Sequence, residues 1–318
     1  MSEWKIQVVK VGPLQKHPNA DRLMVGKIAD YPIIVGSGEF SEGDLAVYVM
    51  ADSVVPADDP RWEFLKGHLR IKPKRLRGIF SMGILTKAAP GMKEGDDVAE
   101  ILKIKKYEPP EAAMTGGEAE RCPFDFPKYT DIESVRRWPD ILKPGEVVKI
   151  TEKIHGTSAR YVYRDGRLWV GSHREIKKDH PDSVYWKAAR GYNLEAKLKE
   201  LPNVAIYGEV YGWVQDLRYG HAQGKVSLAV FDVMDLSQMK YLDDSEAMAV
   251  VKQLDLPCVP ELFSGPWDAA LKALAEGKTN LGGDHVKEGF VVKPVKERFD
   301  ERIQRVILKF HGEGYLLR

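Results

Sequence analysis

The sequence predicts an α+β protein of two modules: a small strand-rich barrel, then an antiparallel sheet carrying amphipathic helices. Two observations predict it. Short apolar runs separated by turn residues fill the N-terminal third, and beyond position 120 such runs alternate with segments of helical spacing.

Taken in order, Ile6–Val11, Leu23–Ile28, Tyr31–Val35, Leu45–Val49 and Gly83–Leu85 read as strands. They are broken at His17-Pro18-Asn19 and at Ser41-Glu42-Gly43-Asp44. Short strands at that spacing suit an OB-type barrel. Around Tyr107–Ala119 the text YEPPEAAMTGGEA loses apolar periodicity and reads as a connector, so the modules are expected at 1–120 and 121–318. In the second module Val147–Thr151, Ser158–Arg164, Arg167–Val170, Val204–Val210, Ser227–Val233, Gly289–Val292 and Val306–Phe310 read as strands. Tyr185–Leu201, Ser245–Leu254 and Pro266–Glu276 carry helical spacing.

The chain has 318 residues, room for two ordinary domains. Lysine and arginine number 48 against 47 aspartates and glutamates, so any polyanion must be met by local patches. Cys122 and Cys258 stand far apart with no CxxC partner. That excludes a disulfide framework and a cysteine-type zinc site, and fits a reducing cytosol. With no signal pattern at MSEWKIQVV and no run of ~18 apolar residues, the expectation is a cytoplasmic protein without a membrane span.

The strongest local signal is Thr151-Glu152-Lys153-Ile154-His155-Gly156-Thr157-Ser158, a lysine closing a β-rich segment before a glycine that allows a tight turn. A lysine amine, with a pKa near ~10.4, becomes nucleophilic when neighbouring cations or desolvation lower that value. Alone, the pattern more often marks a surface lysine beside a turn glycine. Charged residues then recur in order: Tyr207-Gly208-Glu209, Phe231-Asp232, Lys287-Glu288-Gly289-Phe290-Val291-Val292-Lys293 and Val306-Ile307-Leu308-Lys309-Phe310. A series of charged strand ends is how a sheet builds a pocket for a charged ligand.

In their order these blocks resemble the motifs of the covalent nucleotidyltransferases: ATP-dependent DNA ligases, RNA ligases and capping enzymes. His155 stands where that superfamily has aspartate in lysine-x-Asp-glycine. The form Glu-Lys-Ile-His-Gly-Thr is similar to RNA ligases. Together with His17-Pro18-Asn19-Ala20-Asp21-Arg22-Leu23 and the barrel-like N-terminus, the chain resembles the RNA ligase family typified by the Deinococcus enzyme, over nearly its whole length.

The resemblance implies an antiparallel nucleotidyltransferase domain after the OB-like barrel, with Lys153 attacking the α-phosphate of ATP to hold AMP. Lys293 and Lys309 would neutralise phosphate oxygens. Glu288 would hold Mg²⁺ or Mn²⁺, with Glu209 on ribose or on metal-bound water. Phe231 would stack on adenine, with Asp232 in support. Glu152 and Ile154 would flank the bound nucleotide, and Arg174 would reach ribose or phosphate. His155 would serve later steps or shape the loop. Ile307 departs from the family's usual lysine.

Lys66, Arg70, Lys72, Lys74, Arg75 and Arg77 form a run without an acid, suited to a phosphate backbone. The implied partner is RNA or an RNA-containing duplex with 3′-hydroxyl and 5′-phosphate ends, sealed by a monomer. A barrel that precedes the transferase argues against a capping enzyme. A DNA ligase and a non-catalytic RNA-binding protein remain the alternatives.

Overall fold

The computed structural model describes residues 4–108 and 118–318. The expected connector at Tyr107–Ala119 lies mostly outside the described residues. Two compact units form, Met1–Pro109 with Ser134–Pro139 and Leu317, and Pro110–Glu133 with Asp140–Leu316 and Arg318.

In the first unit, Gln7–Lys10, Leu45–Val49 and Ile84–Lys87 make one three-stranded antiparallel sheet. Gln15–Lys16, Leu23–Ile28 and Tyr31–Gly36 make another. Tyr31, Ile33 and Val35 are buried while their neighbours are half-exposed, the period-2 pattern of a strand with one face inward. Ile6, Val8, Val47, Val49, Trp62 and Ile71 lie in a common core. Lys74–Leu76 and Ile79–Ser81 pair as a hairpin turning through Arg77 and Gly78, both at positive φ.

His17 explains how that hairpin is held. It is 1% exposed; its Nε2 lies 3.1 Å from the carbonyl of Leu76, and its Nδ1 accepts the Asn19 N–H. Asn19 donates to the carbonyl of Arg77. The break at His17-Pro18-Asn19 is thus a clamp on the basic hairpin as well as a turn.

The second unit stacks two antiparallel sheets. One is seven-stranded, with Arg167–Ser172, Thr157–Arg164, Val204–Gly212 and Val226–Asp235 at its centre. In the other, Leu308–His311, Gly289–Pro294, Val147–Lys153 and Glu261–Pro266 lie side by side. Val162, Ala205, Tyr207, Phe231, Val291 and Ile307 meet between them. The outer face of the seven-stranded sheet packs on helices Val184–Gly191, Leu194–Lys199 and Asp244–Gln253.

Three expectations are corrected. The helix expected over Tyr185–Leu201 is two helices, parted where Asn193 takes φ 52°, a left-handed value that ends a helix. Pro266–Glu276 holds a 3₁₀ helix over Ala269–Ala275, capped by Asp268, whose carboxylate accepts from Ala270 N–H. Pro266 instead ends the strand Glu261–Pro266, which the sequence reading missed. That strand is at the sheet's edge, where a proline and a glycine are tolerated.

Candidate active site

Strand alternation builds the site. Along Val147–Lys153 the side chains of Val148, Ile150 and Glu152 are buried on one face. Lys149, Thr151 and Lys153 fall on the other and line a cavity of about 540 Å³. Val291 and Lys293 line it from the neighbouring strand, and Ile307 and Lys309 from the segment beyond. Glu209 and Phe231 line it from the facing sheet.

A bulge sets the Phe231-Asp232 pair. Tyr207 pairs with Asp232 and Gly208 with Val230, which leaves Phe231 as the extra residue. In a regular strand these neighbours would point to opposite faces. Here both face the second sheet: Phe231 lines the cavity, and Asp232 meets Lys293 at 2.9 Å.

Asp232 is fully buried and anchors a charged network. Its oxygens accept from Tyr129 Oη at 2.8 Å and Arg305 Nη2 at 2.6 Å besides Lys293. Burial alone would raise its carboxyl pKa, but Lys293 and Arg305 outweigh burial and hold it below the usual value. Glu297 completes the group, 2.7 Å from Arg305 Nε and 3.5 Å from Lys293.

Lys153 Nζ lies 2.7 Å from Glu288 Oε1. Burial favours the neutral amine, yet the Glu288 and Glu209 carboxylates prevail and raise the lysine's pKa. Of the two means of lowering a lysine's pKa, cations or desolvation, burial is present here, but the immediate neighbours are anions and favour the ammonium. Burial would push Glu288 up, but Lys153 and His311 hold it down at about 2. His311 Nε2 is 3.3 Å from Glu288 Oε1. Glu209 moves the other way, up to about 8, because burial and the Glu288 charge exceed what Lys153 returns. Glu288 Oε2 is buried and has no hydrogen-bond partner among the described residues.

The loop after Lys153 is tightly fixed. The His155 N–H donates to Tyr219 Oη at 2.7 Å, and Gln215 Nε2 donates to the Gly156 carbonyl at 2.5 Å. Ile154 is buried with Tyr211, Leu217 and Tyr219 and also borders the cavity. Gly156 is needed for close approach rather than for a left-handed turn, since a Cβ there would sit 2.3 Å from the Val210 carbonyl oxygen. His155 Nε2 is 2.8 Å from Asp216 Oδ1, and Nδ1 is 3.0 Å from Tyr315 Oη.

Glu152 borders the cavity, but its carboxylate accepts from Thr279 Oγ1 at 2.5 Å and Asn280 N–H at 2.8 Å. Arg174 is exposed on the turn after Ser172 and does not line the cavity, whereas its neighbour His173 does. In the first unit, a separate groove of about 590 Å³ is lined by Lys66, Arg70, Lys72 and Lys74; Arg75 and Arg77 are outside it.

Residues 146–311, more than half of the chain, match the RNA ligase family model. The chain belongs to the RNA ligase family. An OB-fold domain model matches residues 5–88 of the ligase. Its fold is similar to that of Naegleria gruberi RNA ligase solved with ATP and Mn, at 24% identity and TM-score 0.86, over 98% of each chain. The same Naegleria ligase with PPi is 25% identical at TM-score 0.86, covering 99% of this chain and 98% of that one. No curated protein matches the ligase in sequence.

Sequence reasoning missed Tyr129, Lys149, Asp216, Arg305 and Tyr315. Lys149 was legible in principle: it falls two alternations before Lys153 and so shares its face. The others come from distant segments and carry no local signal.

Proposed function

We propose that this chain is an ATP-dependent RNA ligase of the Deinococcus type that seals nicks in RNA-containing duplexes through a lysyl-AMP intermediate on Lys153. The observation that carries the reading is that Lys153, paired with Glu288, lines a strand-built cavity together with Lys293 and Lys309. ATP as co-substrate and Mg²⁺ or Mn²⁺ as metal follow the Naegleria structures, which hold ATP and Mn.

In the first step the Lys153 amine, having lost a proton, bonds to the α-phosphorus as the bond to the bridging oxygen breaks and pyrophosphate leaves. Lys293 and Lys309 stand where charge builds on the phosphate oxygens. Phe231 offers a ring face to adenine beside Ile154 and Val291. A 5′-phosphate oxygen then takes AMP from Lys153, and a 3′-hydroxyl displaces AMP to leave a phosphodiester.

Glu288 and Glu209 suit a hard divalent cation: one has an orphaned buried oxygen, and the other is repelled by its neighbour's charge. A cation there supplies positive charge against the phosphate and the two carboxylates. Glu288 would then no longer hold the Lys153 proton so firmly.

We assign catalysis to residues 121–318 and RNA contact to 1–120, through the basic run from Lys66 to Arg77. We also propose a cytosolic monomer, consistent with two free cysteines and with no helix among the described residues long and apolar enough to cross a membrane.

The test is covalent labelling with ATP carrying label in the α-phosphate, with metal, beside similarly labelled GTP and a Lys153→Ala variant. A protein-bound label from ATP alone, absent in the variant, is the expected result. No label on protein that mass measurement shows to be free of prior AMP would overturn the reading.

A further inference from the structure

The basic groove of the first unit differs from a plain phosphate track in one respect. From Arg70 to Leu76, the residues Arg70, Lys72, Lys74 and Leu76 line it together with the buried Ile71, whereas Pro73 and Arg75 do not. Extended chain alternates its side chains, so one strand-like segment sets three cations along one wall. The His17 clamp on Leu76 and Arg77 fixes the end of that wall.

Two further features bear on what fits. Lys66, Lys72 and Lys74 have no ion-pair partner among the described residues, whereas Arg70 is tied to Asp52 at 2.7 Å and lies 3.5 Å over the ring of Tyr107. The sole carboxylate on the lining, Glu39, accepts the Gly36 N–H at 2.8 Å. Phe64, on the same lining, is 61% exposed.

An exposed aromatic ring beside unpaired cations matches the chemistry of single-stranded nucleic acid: phosphates meet ammonium groups and a base stacks on the ring. A paired duplex keeps its base faces covered by neighbouring pairs and offers Phe64 nothing to stack on. We propose that this groove takes an unpaired RNA strand, with one base on Phe64 and its phosphates on Lys66, Lys72 and Lys74. The groove would therefore engage a single-stranded flank or a frayed end of the substrate. This deepens the ligase reading and rests on it.

The test is fluorescence anisotropy of the whole protein, without ATP, on a labelled single-stranded RNA and on a blunt duplex of the same sequence. Phe64→Ala is expected to weaken single-strand binding by ~5- to ~150-fold and to leave blunt-duplex binding unchanged, with Phe64→Trp restoring it. Lys72→Gln is expected to lower the salt slope by about 0.7. Equal losses on both RNAs, or none in Phe64→Ala, would overturn the proposal. Lysyl-AMP formation by the unaltered protein is measured separately. Its absence would sink the ligase reading, while its presence without a Phe64 effect would sink only the groove.

Discussion

Arg305→Met tests the charged network behind the cavity. Arg305 is 2% exposed and Asp232 fully buried. Deleting the guanidinium removes the contacts at 2.6 Å to Asp232 and 2.7 Å to Glu297. Two carboxylates then share the single charge of Lys293, at 2.9 and 3.5 Å. Breaking a buried pair by removing one partner typically costs about 3–5 kcal/mol. A whole domain has only about 5–15 kcal/mol of stability, so the variant should fold but marginally. Arg305 Nη1 lacks a partner among the described residues, which makes the intact network less stabilising than its short contacts suggest. In urea the midpoint should fall with the slope unchanged. Adding Asp232→Asn should recover part of the loss, giving a coupling of about 1–3 kcal/mol.

Acid sharpens the same test. Asp232's carboxyl is held below its ordinary value in the folded protein, so its stabilisation is complete above about pH 3.9 and is lost as pH falls through the lower folded value. With one cation gone that folded value rises, and acid unfolding of Arg305→Met should begin at higher pH. A cost below about 1 kcal/mol with no coupling to Asp232 would refute the reasoning.

Gly156→Ala should destabilise by about 1–3 kcal/mol, because its Cβ meets the Val210 carbonyl oxygen at 2.3 Å, and it should slow lysyl-AMP formation by displacing the loop; thermal melts and labelling check both. His17→Ala should cost about 1–3 kcal/mol and speed hydrogen exchange across the 74–81 hairpin, since the Leu76 carbonyl and Asn19 N–H lose their partner. Mn²⁺ without ATP should raise the melting temperature, by the equivalent of about 2.7 kcal/mol at a hundred times its dissociation constant. Glu288→Gln should remove most of that gain in a thermal-shift titration.

Much of this site was legible because alternation is a local property. Once Val147–Lys153 is read as a strand, Lys149, Thr151 and Lys153 must share a face, and Lys293 and Lys309 follow by the same rule on their own segments. What the text could not carry is anything that depends on two segments meeting. The bulge at Phe231 is a mismatch between two strands, so no reading of one strand contains it. Arg305 reaches Asp232 across 73 positions, and the strand Glu261–Pro266 hid behind turn-like residues that only an edge position excuses.

The charge state of Lys153 belongs to the same class, and it changes the chemistry. The motif alone suggests a lysine made nucleophilic by its surroundings. The folded site surrounds it with Glu288 and Glu209, which hold the proton on. Under the proposed function, a lysine held as an ammonium against a buried carboxylate attacks only once that carboxylate finds another partner. On that reading its reactivity is set by whatever neutralises Glu288, rather than by the strand and glycine that made the lysine visible in the sequence.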